Sequence, residues 1–117
     1  MRTFPFIILI AFAASCTQTP KKSNANPQFY GEFLYLADAA VLNTGTEIYG
    51  VIIDEKMHEL HDLCTPLKRD EYDMIPVYIK GKVENKQPEE EGWDKRIKIT
   101  SIDSLVNPKD NSILKPN

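Results

Sequence analysis

A chain of 117 residues has room for one small domain with a single modest core. Its 42% apolar and 26% charged residues are ordinary globular composition. The net charge of −3, with basic residues scattered along the chain, gives no counterion-release drive toward phosphate backbones. Nucleic acid is therefore not an expected partner.

The chain opens on Arg2 and an apolar segment from Phe4 to Ala14, interrupted only by Pro5. A helix needs about 20 residues to cross a bilayer core of about 30 Å, so this segment is too short to span. It has the length of a signal-peptide core. The small residues Ala13, Ala14 and Ser15 then precede Cys16, and this ending resembles a bacterial lipobox, with Ala13 where Leu is usual. The resemblance implies that residues 1–15 are a lipoprotein signal peptide and that Cys16 becomes an acylated N-terminus. Two or three acyl chains meet the roughly two-chain requirement for stable anchoring. The expected location is the cell envelope, lipid-anchored in the outer membrane and facing the periplasm. The alternative is a plain secretory signal with an incidental cysteine. With Cys16 lipidated, Cys64 has no disulfide partner and is a free thiol, a small buried hydrophobe or a ligand. Residues 16–28 carry prolines and no large hydrophobe before Phe29, which predicts a flexible tether of at most about 40 Å.

From Tyr30 the pattern favours strands. YGEFLYLA places Phe33 and Tyr35 on one face and Leu34 and Leu36 on the other, and AAVLN follows as a second short apolar run. TGT at 44–46 predicts a turn at Gly45, and TEIYGVII a third strand. Asp54 is a candidate N-cap for a helix over about 55–65, ended by Pro66. MIPVYIKGKVEN puts Ile75, Val77 and Ile79 on one face, with a bulge or sharp bend expected at Gly81. Residues 84–94 read as a long loop, and KRIKITSI as a last strand with Ile97 and Ile99 inward. The tail, 107–117, reads as loose. Strand, strand, strand, helix, strand, strand is the order of the OB-fold, so residues 29–106 are expected to form an all-β, five-stranded OB-like Greek-key barrel with one helix. A first strand bending near Ala37 would help it close.

GEFLYLADAAVLN, a Gly-Thr turn, a strand, a helix, PVYIKGKVE and a final strand together resemble the C-terminal OB domain of NlpE-like lipoproteins. The likeness runs over about 29–105. It implies an envelope lipoprotein associated with copper homeostasis and envelope-stress signalling, with an envelope protein as partner. The larger relatives carry a separate N-terminal domain with a Cys-x-x-Cys pair, which this chain lacks. No catalytic residue comes with the resemblance.

MHELHDLC holds the one cluster of candidate ligands. At 100° per residue Met57, Leu60, Cys64 and Leu67 form an apolar stripe, the core face of a helix covering a small barrel. The rival reading is a soft-metal site of Met57, His61 and Cys64, a thioether-rich set suited to Cu(I). Trp93 stands in the loop before the last strand, where OB domains bind ligands. There it either plugs the barrel end, the commoner role, or is exposed to stack on a sugar or dock into a partner. Glu89, Glu90 and Glu91 beside it read as a solvated charge run. No nucleophile elbow or Gly-rich phosphate loop is present, so neither an enzyme nor a cofactor is expected.

Overall fold

Period-two alternation builds the first hairpin. In β1 (Gln28–Leu36) Gly31 and Phe33 are buried and Tyr35 packs partly against the core, while Tyr30 and Glu32 face solvent. In β2 (Ala39–Asn43) Ala40 and Leu42 point inward, with Phe33 paired to Leu42 and Leu36 to Ala39. The computed structural model describes residues 26–116; the expected signal segment 1–15, Cys16 and the tether up to residue 25 lie outside the described residues.

The expected bend of the first strand near Ala37 is instead a tight reversal. Pairing closes across Ala37-Asp38, and Ala37 adopts φ 57. Hairpin turns that match strand twist need positive φ at their first central residue. Here an alanine supplies it, so no glycine marks the turn in the sequence. The next turn is the expected one: Thr44 N–H donates to Glu47 O at 3.0 Å, with Gly45 at φ 93. β3 (Ile48–Val51) then buries Tyr49 and Val51.

Asp54 caps α1 (Glu55–Cys64), its Oδ1 accepting the Met57 N–H at 3.0 Å. Met57, Leu60 and Cys64 are buried along one stripe, and a 3₁₀ turn over Thr65–Leu67 carries the stripe on to Leu67. Pro66 sits inside that turn, which is why the α-helix stops at Cys64.

β4 (Ile75–Asn85) buries Ile75, Val77, Ile79 and Gly81. Against it, β5 (Lys95–Val106) sets Ile97, Ile99, Ile102 and Leu105 opposite Val83, Gly81, Ile79 and Val77. The register shifts at Lys80/Gly81, as expected of a bulge there, and again at Tyr78/Ile79. The extra residues, Thr100 and Asp103, lie on β5 rather than on the glycine's own strand. Such bulges sharpen strand twist and help a small sheet to close. Gly81 has a different task. A Cβ there would lie 2.6 Å from the Lys98 carbonyl oxygen and 2.7 Å from Ile97 Cγ2, so its missing side chain lets the two strands approach inside the barrel.

The strands run β3-β2-β1-β4-β5, and β5 also pairs with β3 in parallel, Gly50 against Arg96 and Val51 against Ile97. Ile52 N–H adds a bond to Ile97 O at 2.9 Å. The result is a closed, mixed five-stranded barrel, OB-like as expected, with its helix between β3 and β4. The tail differs from expectation. Asn107 N–H donates to Ser112 O at 2.8 Å, turning the chain so that β6 (Ile113–Leu114) pairs with Val106 and Leu105 of β5.

Candidate functional site

The β4–β5 loop is laced into shape by its own backbone. Lys86 N–H donates to Asp94 O at 2.9 Å at the base, Glu90 N–H to Gln87 O at 3.0 Å, and Lys86 Nζ to Glu90 O at 2.9 Å. Arg96, at the start of β5, reaches back to hold the loop: Nη1 lies 2.6 Å from Glu90 Oε2, and Nη2 donates to Glu91 O at 3.0 Å. All three glutamates of the run are exposed, and of them Glu90 is ion-paired.

Gly92 at φ 111 then delivers Trp93 onto the outside of β3. The seat for the indole is Gly50. A Cβ at that position would meet Trp93 Cδ1 at 3.0 Å and Trp93 Cβ at 3.1 Å. Trp93 is 46% exposed, so it does not plug the barrel. It forms one wall of an open cleft of about 290 Å³. Ala39, Ala40, Gly50 and Val51 make the floor, the exposed Ile53 stands on the rim, and Asp38, Glu91 and Arg96 bring charge to it. The cleft therefore lies between the β1–β2 turn and the β4–β5 loop, against β2 and β3, where an OB barrel receives ligands. A volume just under the ~300 Å³ lower end for small-molecule pockets suits one ring or one side chain.

On the other side of Trp93 lies a polar cluster. Tyr49 Oη donates to Glu47 Oε2 and Lys95 Nζ donates to Glu47 Oε1 at 2.9 Å. The hydrogen bond from Tyr49, and then the one from Lys95, hold the Glu47 carboxyl below its ordinary range. The bond to Glu47 correspondingly raises the Tyr49 phenol.

Trp93 is the one cleft residue singled out by the sequence. Asp38, Gly50, Ile53 and Arg96 were not, although Gly50 inside a β-branched and aromatic run carries the signature of a close approach. The soft-metal candidates are not brought together at the surface. Met57 and Cys64 are buried among core residues, and His61 lies half-buried outside the stripe, its ring 5.0 Å from that of Tyr35. His58 flanks the same tyrosine at 5.4 Å. Among the described residues no three His, Cys, Asp or Glu side chains cluster closely enough to hold a metal ion.

Burial pushes the Cys64 thiol from its ordinary 9.0 up to about 12. The folded protein is thus expected to react slowly with a thiol-specific disulfide reagent at mildly alkaline pH, and quickly in denaturant. The linkage has a definite sign. The unfolded thiol ionises near 9 while the folded one stays protonated, so stability is unaffected below that pH and falls as pH rises from about 9 toward 12. Cys64→Ala costs about 1–2 kcal/mol in lost packing at neutral pH and removes that alkaline slope. Urea melts of both proteins across this range check it; identical slopes would count against a shielded thiol.

Fold and cleft together define an OB-like β-barrel with one half-exposed indole beside an open cleft between the β1–β2 turn and the β4–β5 loop. The chain matches no protein-family model, no curated protein and no solved structure.

Proposed function

We propose that this protein is a lipid-anchored component of the cell envelope whose barrel is a non-catalytic binding module, with the Trp93 cleft as its recognition site. The observation that carries this reading is the half-exposed indole, seated on Gly50 and facing an apolar floor between two loops. An exposed tryptophan beside an apolar pocket is the anchor type most enriched at binding hot spots. The lipobox-like Ala13-Ala14-Ser15-Cys16 supports the anchor. The NlpE-like resemblance supports a partner in envelope homeostasis or stress sensing. An envelope oligosaccharide is the second reading, favoured by the flat indole beside Asp38 and Glu91, whose carboxylates can accept bonds from hydroxyl groups. Copper handling lacks comparable support, because Met57 and Cys64 face the core.

A photo-crosslinking residue at Ile53 tests the site in intact cells. It should yield a discrete adduct, and adding Trp93→Ala should lower that yield about tenfold. The same residue at Ile113, outside the cleft, should yield none. Equal capture from both positions, or capture indifferent to Trp93→Ala, overturns the assignment. Trp93 is the single tryptophan of the chain, so its emission reports on this cleft alone. A spectral shift on titrating soluble peptidoglycan fragments selects the oligosaccharide reading.

A further inference from the structure

The chain enters the barrel beside a row of lysines. Pro27 O accepts the Gly81 N–H at 3.2 Å, Asn26 Nδ2 donates to Thr100 Oγ1 at 2.8 Å, and Gln28 pairs with Lys80. Residue 26 therefore lies across β4 and β5 at the level of Gly81 and Thr100. One rung away, Lys82 stands directly opposite Lys98. Lys80, Lys82 and Lys98 alternate with buried Ile79, Gly81, Ile97 and Ile99, so all three project from the outer face of the barrel.

Like charges directly opposite on antiparallel strands destabilise the pair. Neither Lys80 nor Lys82 has a carboxylate partner among the described residues, and Lys98 has Asp54 at 3.4 Å. Of the carboxylates bordering the face, Asp54 alone pairs with one of its lysines, through Oδ2 to Lys98, and Glu84 makes no ion pair with Lys82. Asp54 caps α1, Asp103 accepts from Gln28 and Ser101, and Glu84 stands opposite Arg96. A chain of net charge −3 thus gathers three lysines at one place, while Glu89, Glu90, Glu91 and Asp94 collect in the loop before β5. The nine residues between Cys16 and Asn26 add Lys21 and Lys22, and the stretch from Cys16 to Asn26 extends at most about 35 Å.

We propose that the Lys80–Lys82–Lys98 face is a membrane-docking surface that lays the anchored domain against anionic phospholipid headgroups. The inference rests on the lipid-anchor reading above. Attraction between lysines and an anionic leaflet acts only within about a Debye length, near 10 Å, so it orients a domain that a short tether already holds at the surface. The acidic β4–β5 loop follows Asn85 and precedes Lys95, three residues from the Lys82–Lys98 rung, and so borders the lysine face on that side.

The test uses the lipid-modified protein reconstituted in vesicles of phosphatidylcholine alone, or of phosphatidylcholine with phosphatidylglycerol. Lysine acylation by a water-soluble reagent is read residue by residue by mass spectrometry. At low salt on anionic vesicles, Lys80, Lys82 and Lys98 should label roughly fivefold more slowly than on zwitterionic ones, and high salt should abolish the difference. Lys109, exposed in the turn beyond the far end of β5, should label equally on both. Equal rates at the three lysines, with the acyl mass intact, overturn the docking face and leave the anchor standing. A purified protein without acyl mass refutes the anchor instead. Sedimentation of that protein with anionic but not zwitterionic vesicles would then still support the face, and sedimentation with neither would overturn it.

Discussion

Val77→Asp is expected to leave the domain largely unfolded at room temperature. Val77 is 0% exposed near the start of β4, between Gly31 of β1 and Leu105 of β5. A carboxylate there loses its hydration inside the barrel, with only apolar side chains and already paired backbone around it. The cost is several kcal/mol whether the group stays charged or takes up a proton. A domain of this size has a total stability of about 5–10 kcal/mol, so the substitution removes most of it. Val83→Asp provides the contrast. Val83 shares the strand and opposes Ile97, but at 43% exposure its replacement keeps its water. That change should fall within about 1 kcal/mol of the parent. Thermal melts followed by circular dichroism separate the two. A Val77→Asp protein melting with its parent would mean that β4 does not present Val77 to the interior.

Cys16→Ser should have an equally large effect on location. Each buried methylene of an acyl chain contributes about 0.8 kcal/mol, so the two or three chains of the proposed anchor would hold the protein on the membrane against dilution by many orders of magnitude. In the proposed reading the Cys16 thiolate accepts the lipid, and a serine hydroxyl does not replace it. Metabolic labelling with a palmitate analogue and intact-mass measurement should show that the label is lost and that processing before residue 16 is blocked. A labelled, membrane-bound product with the parent's mass would place the anchor at another residue.

The cleft was only partly legible. Its one aromatic, Trp93, is conspicuous because it interrupts a polar loop. Its seat on Gly50 and its neighbour Ile53 join segments that lie about forty residues apart in the chain, while the clasp of Arg96 on Glu90 and Glu91 holds the loop that carries it. No local pattern reports such a meeting. The same holds for the three lysines, which read as scattered until the pairing of β4 with β5 sets two of them face to face.

Local periodicity determined the element order, the stripe of Met57, Leu60, Cys64 and Leu67, the Asp54 cap and the inward sets on β4 and β5. In each case burying one face of a short segment requires a repeat of two or 3.6 residues, and the repeat is written in the segment itself. The hairpin at Ala37-Asp38 escaped because an alanine took a backbone conformation that usually calls for glycine. The bulge residues on β5, the parallel closure of β5 on β3 and the pairing of β6 were decided only in three dimensions. Each depends on backbone groups of distant strands meeting at a particular register, and closing the barrel fixes that register for all five strands at once.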